Sequence, residues 1–119
     1  VVNDQFGVPT SAAMLAQVTR DCLKHVIVMA NLSGVYNVVP SGRTSWYEYA
    51  AFAINEARRL GAPIKVSNQS LLGVRSEDFD TKAQRPKNSC LDTTKFRETF
   101  SLKLPHWKHD VANVVEKMF

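Results

Sequence analysis

Cysteine is scarce in this sequence, and long apolar runs are absent. Cys22 and Cys90 are the only cysteines among 119 residues, too few and too far apart for a disulfide framework or a cysteine-held metal cluster. We expect both to be reduced thiols of a cytosolic protein, with Cys22 packed in the core. No apolar run approaches the roughly 18 residues that a membrane-spanning helix needs, so the sequence predicts no membrane partner.

Glycine and histidine are too few and too dispersed for the common self-contained active sites. The five glycines form no Gly-rich phosphate loop, no serine lies in a nucleophile-elbow pattern, and no tyrosine is followed four residues later by lysine. His106 and His109 could bind a metal from one helix, but a third ligand would have to come from elsewhere; a solvated helix face is the favoured alternative. The sequence therefore predicts no catalytic, cofactor-binding or metal-binding residue in this chain.

The charge is mildly basic but not concentrated. Fifteen basic and 11 acidic residues give a formal net charge of +4, which would suit nucleic-acid binding. However, Arg58 and Arg59 form the only adjacent basic pair, and "KAQRPK" (82–87) is the only cluster. No nucleic-acid-binding motif accompanies them. A protein that binds a small anionic ligand fits this pattern as well, and a nucleic-acid-binding module stays as an alternative.

Length and periodicity predict one domain of the α/β (α+β) class. The chain has the size of a single domain, and four helical segments alternate with short β-branched segments. Helices are predicted from about Ser11 to Ala30, from Ser45 to Gly61, after Asp92, and from Pro105; strands are predicted at Val1–Val2, 34–40 and 63–69. Two or three short strands make a poor sheet alone, so we expect the core to close against something else.

Local signals mark the helix ends and the faces expected to be buried. Ser45 and Glu48 have capping-box spacing, Gly61 lies where helices commonly stop, and Thr10 or Ser11 is the expected N-cap of the first helix. The inward faces, in helix order, are predicted to be Ala12, Leu15, Ala16, Thr19, Cys22, Leu23, Val26 and Ile27; Trp46, Tyr49, Ala50, Ala53, Ala57 and Leu60; Phe96 and Phe100; Trp107, Val111, Val114, Val115 and Met118.

Three loops have compositions that suit ligand binding. "DQFGVPT" combines a carboxylate, an amide, a glycine and a proline directly after a predicted strand, where ligands bind in open α/β folds. "PSGRTSW" is a second strand-to-helix loop. "QRPKNSCLDTTKF" places Arg85, Lys87, Asn88 and Ser89 in a proline-stiffened turn that could offer donors to a phosphate. Capping and turn formation would explain any one loop, but the three together favour a binding site.

Four motifs also carry a family resemblance over essentially the whole chain. "VVNDQFGVPTSAAMLA", "GVYNVVPSGRTSWYEYAAF", "RPKNSCLDTTKF" and "LPHWKHDV", in this order, resemble the dTDP-4-dehydrorhamnose reductase family of the extended short-chain dehydrogenase/reductase superfamily. The resemblance implies that residues 1–119 are a C-terminal substrate-binding domain. The Rossmann lobe, with its Gly-rich turn and catalytic Tyr-x-x-x-Lys, would lie upstream of Val1. We therefore expect an apolar face where that lobe would pack, either exposed, filled by a neighbouring copy or covered by a second chain.

The resemblance implies reduction of dTDP-4-dehydro-L-rhamnose to dTDP-L-rhamnose for bacterial surface polysaccharides such as O-antigen. NADPH or NADH would be bound by the upstream lobe. The first loop would border the sugar-nucleotide cleft, and Arg85 would lie near the diphosphate. The implied substrate-binding residues are Asp4, Gln5, Gly7, Pro9, Thr10, Arg85 and Asn88.

Two features limit what the resemblance implies. Some family members bridge subunits through Mg²⁺ held by acidic side chains, but this chain has Ala13 and Lys117 where such acids could stand. We therefore do not expect a metal-bridged dimer. A homodimer of another kind remains an alternative. A regulatory subunit of methionine adenosyltransferase also resembles this family but acts as a binding partner. That non-catalytic class is the main alternative, and an upstream Tyr-x-x-x-Lys would separate the two.

Overall fold

Helices carry most of the regular structure in the computed structural model, which describes residues 1–79 and 83–119. The described elements are, in chain order, β1 (Phe6–Gly7), α1 (Ala12–Val28), β2 (Thr44–Ser45), α2 (Trp46–Arg59), α3 (Thr94–Phe100) and α4 (Trp107–Glu116), with 3-10 turns at Ala30–Leu32, Asn68–Ser70 and Ser76–Asp78. The predicted α/β class with four helices is therefore confirmed.

The helix ends follow the local capping signals. Ser11 is the N-cap of α1, and its hydroxyl accepts a hydrogen bond from the Met14 N–H. Ser45 and Glu48 form the predicted capping box at the start of α2. Gly61 follows the end of α2 with φ +85°, a conformation that favours glycine. The start predicted at Pro105 was too early, because α4 begins at Trp107 with His106 as its N-cap.

The predicted strands are wrong. Val2 makes a single bridge to Val74 rather than a strand, residues 34–40 form no regular element, and residues 63–69 are irregular until a 3-10 turn begins at Asn68. A strand needs a neighbouring strand to satisfy its backbone hydrogen bonds, and within the described residues only β1 and β2 form a ladder.

Two small clusters form the core. In the first, Ala57 of α2 packs against Trp107, Val111 and Val115 of α4. The second is aromatic: Phe96 and Phe100 of α3 contact each other and Tyr36. The inward faces predicted for α2, α3 and α4 agree with this packing except at Trp46, Val114 and Met118, which are exposed. Among the described residues, no helix has the length and hydropathy needed to cross a membrane.

The apolar face predicted for α1 is largely exposed. The only buried residue of α1 is Met14, which was not predicted to lie on this face, whereas Leu23 is exposed and Ile27 is 81% exposed. Cys22 is half-buried rather than in the core; burial, and after it the charge of Asp21, raise the pKa of its thiol. Because large apolar side chains rarely lie open in contiguous patches, this face agrees with the expectation of an uncovered packing surface.

Candidate functional site

Strand β1 brings the three candidate loops together. On one side it pairs antiparallel with β2, with Phe6 opposite Ser45 and Gly7 opposite Thr44. On the other side the Phe6 N–H donates to the Lys87 carbonyl at 2.9 Å, and the Ser89 N–H donates to the Phe6 carbonyl at 2.8 Å. The first loop therefore lies between the other two, each held to it by backbone hydrogen bonds.

A cleft of about 290 Å³ lies over this junction. It is lined by residues 5–9, 44–46, Tyr49, Arg85, Pro86 and Ser89. Its volume is near the lower end of the range for ligand pockets, and its lining is mostly apolar with a few polar groups, as such pockets usually are. Because the lining combines the aromatic side chains Phe6, Trp46 and Tyr49 with Arg85, it suits a ligand that has a flat apolar part and an anionic part.

Four of the predicted site residues line this cleft. These are Gln5, Gly7 and Pro9 from the first loop and Arg85 from the third. The Gln5 side-chain amide donates to the Ser76 hydroxyl at 3.0 Å, which fixes its orientation at the cleft wall. Contact between these residues and a ligand stays a prediction.

Asp4, Thr10 and Asn88 lie outside the cleft lining and hold the loops instead. Asp4 accepts hydrogen bonds from the Ser76 N–H at 2.9 Å and the Ser76 hydroxyl at 2.6 Å, with the Lys87 ammonium 3.5 Å away. The bond from the Ser76 hydroxyl is the main reason why the pKa of Asp4 lies below its ordinary value; the Ser76 N–H and the Lys87 charge add to it.

The other two residues stabilise turns. The Thr10 hydroxyl donates to the Val8 carbonyl at 3.1 Å, and the Asn88 side-chain oxygen accepts from the Cys90 N–H at 3.1 Å. Such local side-chain bonds are typical of turn residues. Their predicted ligand contacts are likewise untested.

Arg85 is exposed at the cleft and makes no ion pair with any described residue. Asp78, a nearby acid, forms no ion pair with Arg85, and Asp80 lies outside the described residues, as does Lys82 of the "KAQRPK" cluster. Pro86 disfavours helical conformations of Arg85. No described acid therefore occupies the guanidinium, whose planar set of donors matches paired anionic oxygens.

Aromatic residues of the cleft were missed as site residues from the sequence. Trp46 was assigned to the buried face of α2 but is 52% exposed, and its ring meets Tyr49 edge to face at 6.2 Å. Phe6 carries the Arg43 guanidinium 4.4 Å from its ring centroid. The available signal was the position of Trp46 inside the candidate ligand loop "PSGRTSW", directly after the N-cap Ser45.

The described residues offer no group of three or more His, Cys, Asp or Glu side chains that could hold a metal ion. His106 accepts a hydrogen bond from the Lys108 N–H as the N-cap of α4. His109 bonds to Asn113. Each of these histidines thus has a structural partner within α4.

Comparison with protein families shows what the chain is similar to. The model of the RmlD substrate binding domain matches residues 1–119. The chain is 40% identical over 119 residues to the dTDP-4-dehydrorhamnose reductase of Escherichia coli (strain K12) and 42% identical over 123 residues to that of Shigella flexneri. All of this chain is covered in both cases, but it spans only 39% of the length of either relative.

A solved structure supports the same assignment. The dTDP-4-dehydrorhamnose reductase from Bacillus anthracis, determined in complex with NADP, aligns with a TM-score of 0.79 and 32% identity. The alignment covers 98% of this chain and 37% of that one, in its C-terminal part. On the strength of the full-length family match and these relatives, the chain belongs to the RmlD substrate binding domain family.

Proposed function

We propose that this chain is the sugar-nucleotide-binding domain of a dTDP-4-dehydrorhamnose reductase, which reduces dTDP-4-dehydro-L-rhamnose to dTDP-L-rhamnose. The observation that carries the proposal is the cleft that Arg85, which has no ion pair to a described residue, lines together with Phe6, Trp46 and Tyr49. A dTDP-sugar has a flat base, a diphosphate and a sugar. The base matches the aromatic side chains of the cleft, and the anionic diphosphate matches its arginine. The product would serve bacterial surface polysaccharide synthesis in the cytoplasm.

Within the cleft we assign the diphosphate to Arg85 and the flat thymine to the aromatic side chains. A guanidinium can donate two parallel hydrogen bonds to paired phosphate oxygens. The Trp46 indole offers a broad exposed surface at the cleft rim, and such rings pack well against flat apolar groups. Gln5, held by Ser76, lines the wall beside them.

The described residues do not fit a dinucleotide. The five glycines are dispersed and no Tyr-x-x-x-Lys occurs, so NADPH or NADH, which supplies the hydride, would be bound by a Rossmann lobe outside these 119 residues. The role of this chain is to bind and orient the sugar nucleotide against that lobe. We infer that the exposed face of α1 belongs to the packing surfaces of the whole protein, toward its own lobe or a second copy.

The named relatives are reductases, which favours this function over a regulatory, non-catalytic member of the fold. Nucleic-acid binding has no support beyond the mild net charge. Strongly salt-dependent binding to random DNA would revive that alternative, because phosphate contacts release counterions.

Arg85→Ala in the full-length enzyme is expected to raise the KM for the sugar nucleotide about 10-fold or more, since a charge-assisted hydrogen bond is worth roughly 1.5–3 kcal/mol. The melting temperature should hold, because the side chain is exposed. Arg85→Lys should recover only part of the loss, since lysine lacks the guanidinium fork. Steady-state kinetics and thermal unfolding measure both effects.

Arg20→Ala is the matched control, because Arg20 is an exposed arginine on α1 whose ion pair among the described residues is with its neighbour Asp21. It should leave the KM unchanged. An unchanged KM in Arg85→Ala, or a lower melting temperature with the KM unaltered, would assign Arg85 to the scaffold and remove the main support for the proposed function.

Residues 1–119 alone are expected to give no turnover of NADPH with dTDP-4-dehydrorhamnose. They offer neither a Gly-rich dinucleotide site nor a Tyr-x-x-x-Lys tyrosine to donate the proton. The absorbance of NADPH should stay constant, whereas the full-length enzyme consumes it under the same conditions. Turnover by the chain alone would show that its residues hold the dinucleotide after all.

A further inference from the structure

The start of α4 lies outside the cleft, yet it is bonded to two of the three cleft loops. Asp110, in the first turn of α4, is only 5% exposed. One carboxylate oxygen accepts from the Ser11 N–H at 2.8 Å, and the other accepts from the Ser11 hydroxyl at 2.6 Å. Both oxygens thus bind Ser11, the residue that directly follows the first loop.

A buried carboxylate needs compensation for its lost hydration. No salt bridge to Asp110 is present among the described residues. Its compensation comes instead from the two short bonds of Ser11, which are charge-assisted, and from its place in the first turn of α4, where the helix dipole favours an anion. This contact therefore requires a carboxylate, because each of its two oxygens accepts one of the two hydrogen bonds from Ser11.

Ser11 connects this carboxylate to the cleft wall. Its hydroxyl also accepts from the Met14 N–H, so the same atom caps α1. Between Ser11 and the cleft, Pro9 has a fixed φ, and Thr10 bonds back to the Val8 carbonyl. Because this segment is short and stiff, a shift of Ser11 also moves Val8 and Pro9, which line the cleft.

The second loop is held by the backbone just before Asp110. The Ser41 N–H donates to the Pro105 carbonyl at 2.7 Å, and the Trp107 N–H donates to the Ser41 carbonyl at 3.1 Å. Ser41 lies shortly before Thr44 and Ser45, which line the cleft and pair with β1. The start of α4 thus fixes both loops that flank the junction of β1 and β2.

We propose that Asp110 is a positioning residue: through Ser11 it fixes one wall of the cleft relative to the wall that Pro105 and Trp107 hold, and so sets the spacing of the sugar-nucleotide site. This inference rests on the proposed function for the identity of the ligand, but the positioning itself does not depend on it. Asp110 touches no ligand in this scheme and acts on binding only through the loops.

Kinetics of the full-length enzyme test the effect on binding. Asp110→Asn replaces one accepting oxygen by an amide that cannot accept, and Ser11→Ala removes the hydroxyl. Both variants are expected to raise the KM for the sugar nucleotide about 5- to 10-fold, since small misplacements of a binding wall are costly, and to leave the KM for NADPH unchanged. Ser11→Thr keeps a hydroxyl and should restore most of the affinity.

Val115→Ala is the matched control. Val115 is buried on α4, in the cluster with Ala57 and Trp107, and it takes no part in the contact with Ser11. Its loss should lower the melting temperature yet leave the KM of the folded enzyme unaltered. If Asp110→Asn and Ser11→Ala behave like Val115→Ala, with lower stability and unchanged KM, Asp110 is structural only and the proposal is overturned.

Hydrogen exchange provides a readout that needs no substrate. In Asp110→Asn, the amides of residues 8–14 and 41–46 should exchange faster than in wild type or in Val115→Ala. Exchange in α2 is the internal reference. If the wild-type enzyme does not oxidise NADPH with dTDP-4-dehydrorhamnose, the proposed function is overturned. The exchange measurement tests the positioning role of Asp110 even in that case. Unchanged exchange in both segments would reject it.

Discussion

Replacing Gly42 by alanine is expected to destabilise the domain by about 2–5 kcal/mol. Gly42 has φ +87°, and a Cβ built there would lie 2.5 Å from Nε2 of His106 and 3.0 Å from the Trp107 ring. The left-handed backbone alone costs an L-residue about 1–2 kcal/mol, and overpacking adds about 1–3 kcal/mol. Urea unfolding measures the change in free energy.

Gly61 provides the comparison for this substitution. Its φ is +85°, nearly the same, but a Cβ there would meet nothing within 4 Å. Gly61→Ala should therefore show only the backbone effect, about 1–2 kcal/mol. Equal effects at both positions would mean that the loop carrying Gly42 can move away from His106 without loss, contrary to the close packing described above.

Phe96→Ala is expected to destabilise the domain by about 3–5 kcal/mol. Phe96 is 1% exposed, and its ring lies 5.3 Å from that of Phe100 and 6.4 Å from that of Tyr36. Its removal leaves a cavity that the short helix α3 cannot close, because Phe100 and Tyr36 are held by each other. The unfolding midpoint in urea is the measurement.

Phe79→Ala is the control, because Phe79 is 47% exposed. Substitutions at such surface positions usually change stability by about 0.5 kcal/mol or less. A loss of less than about 1 kcal/mol in Phe96→Ala would show that the aromatic cluster contributes little, and that α3 is held mainly by other contacts.

What the sequence predicted well depends on local interactions. The capping box of Ser45 and Glu48 and the stop at Gly61 use residues within one helical turn of each other, so they can be recognised without knowing the fold. The inward positions of Phe96 and Phe100 follow from helical spacing alone. These elements agree with the structure for that reason.

What the sequence did not predict depends on distant partners. Residues 34–40 have the composition of a strand, but they have no strand to pair with among the described residues, and composition cannot reveal this. The three loops were identified one by one, while their meeting at Phe6 is a property of the fold. Asp110 lies 99 residues from Ser11, so no local pattern could have joined them.

The pairing of β1 has a consequence for the order of folding. α1 and α2 carry their own caps and can begin to form locally, but the cleft exists only when Phe6 meets both Ser45 and Asn88, across long stretches of chain. Closing such loops costs entropy before the contacts compensate for it. We therefore expect the cleft to assemble last and to open first, so that a bound sugar nucleotide would slow amide exchange at Phe6 and Ser89 more than in the middle of α2.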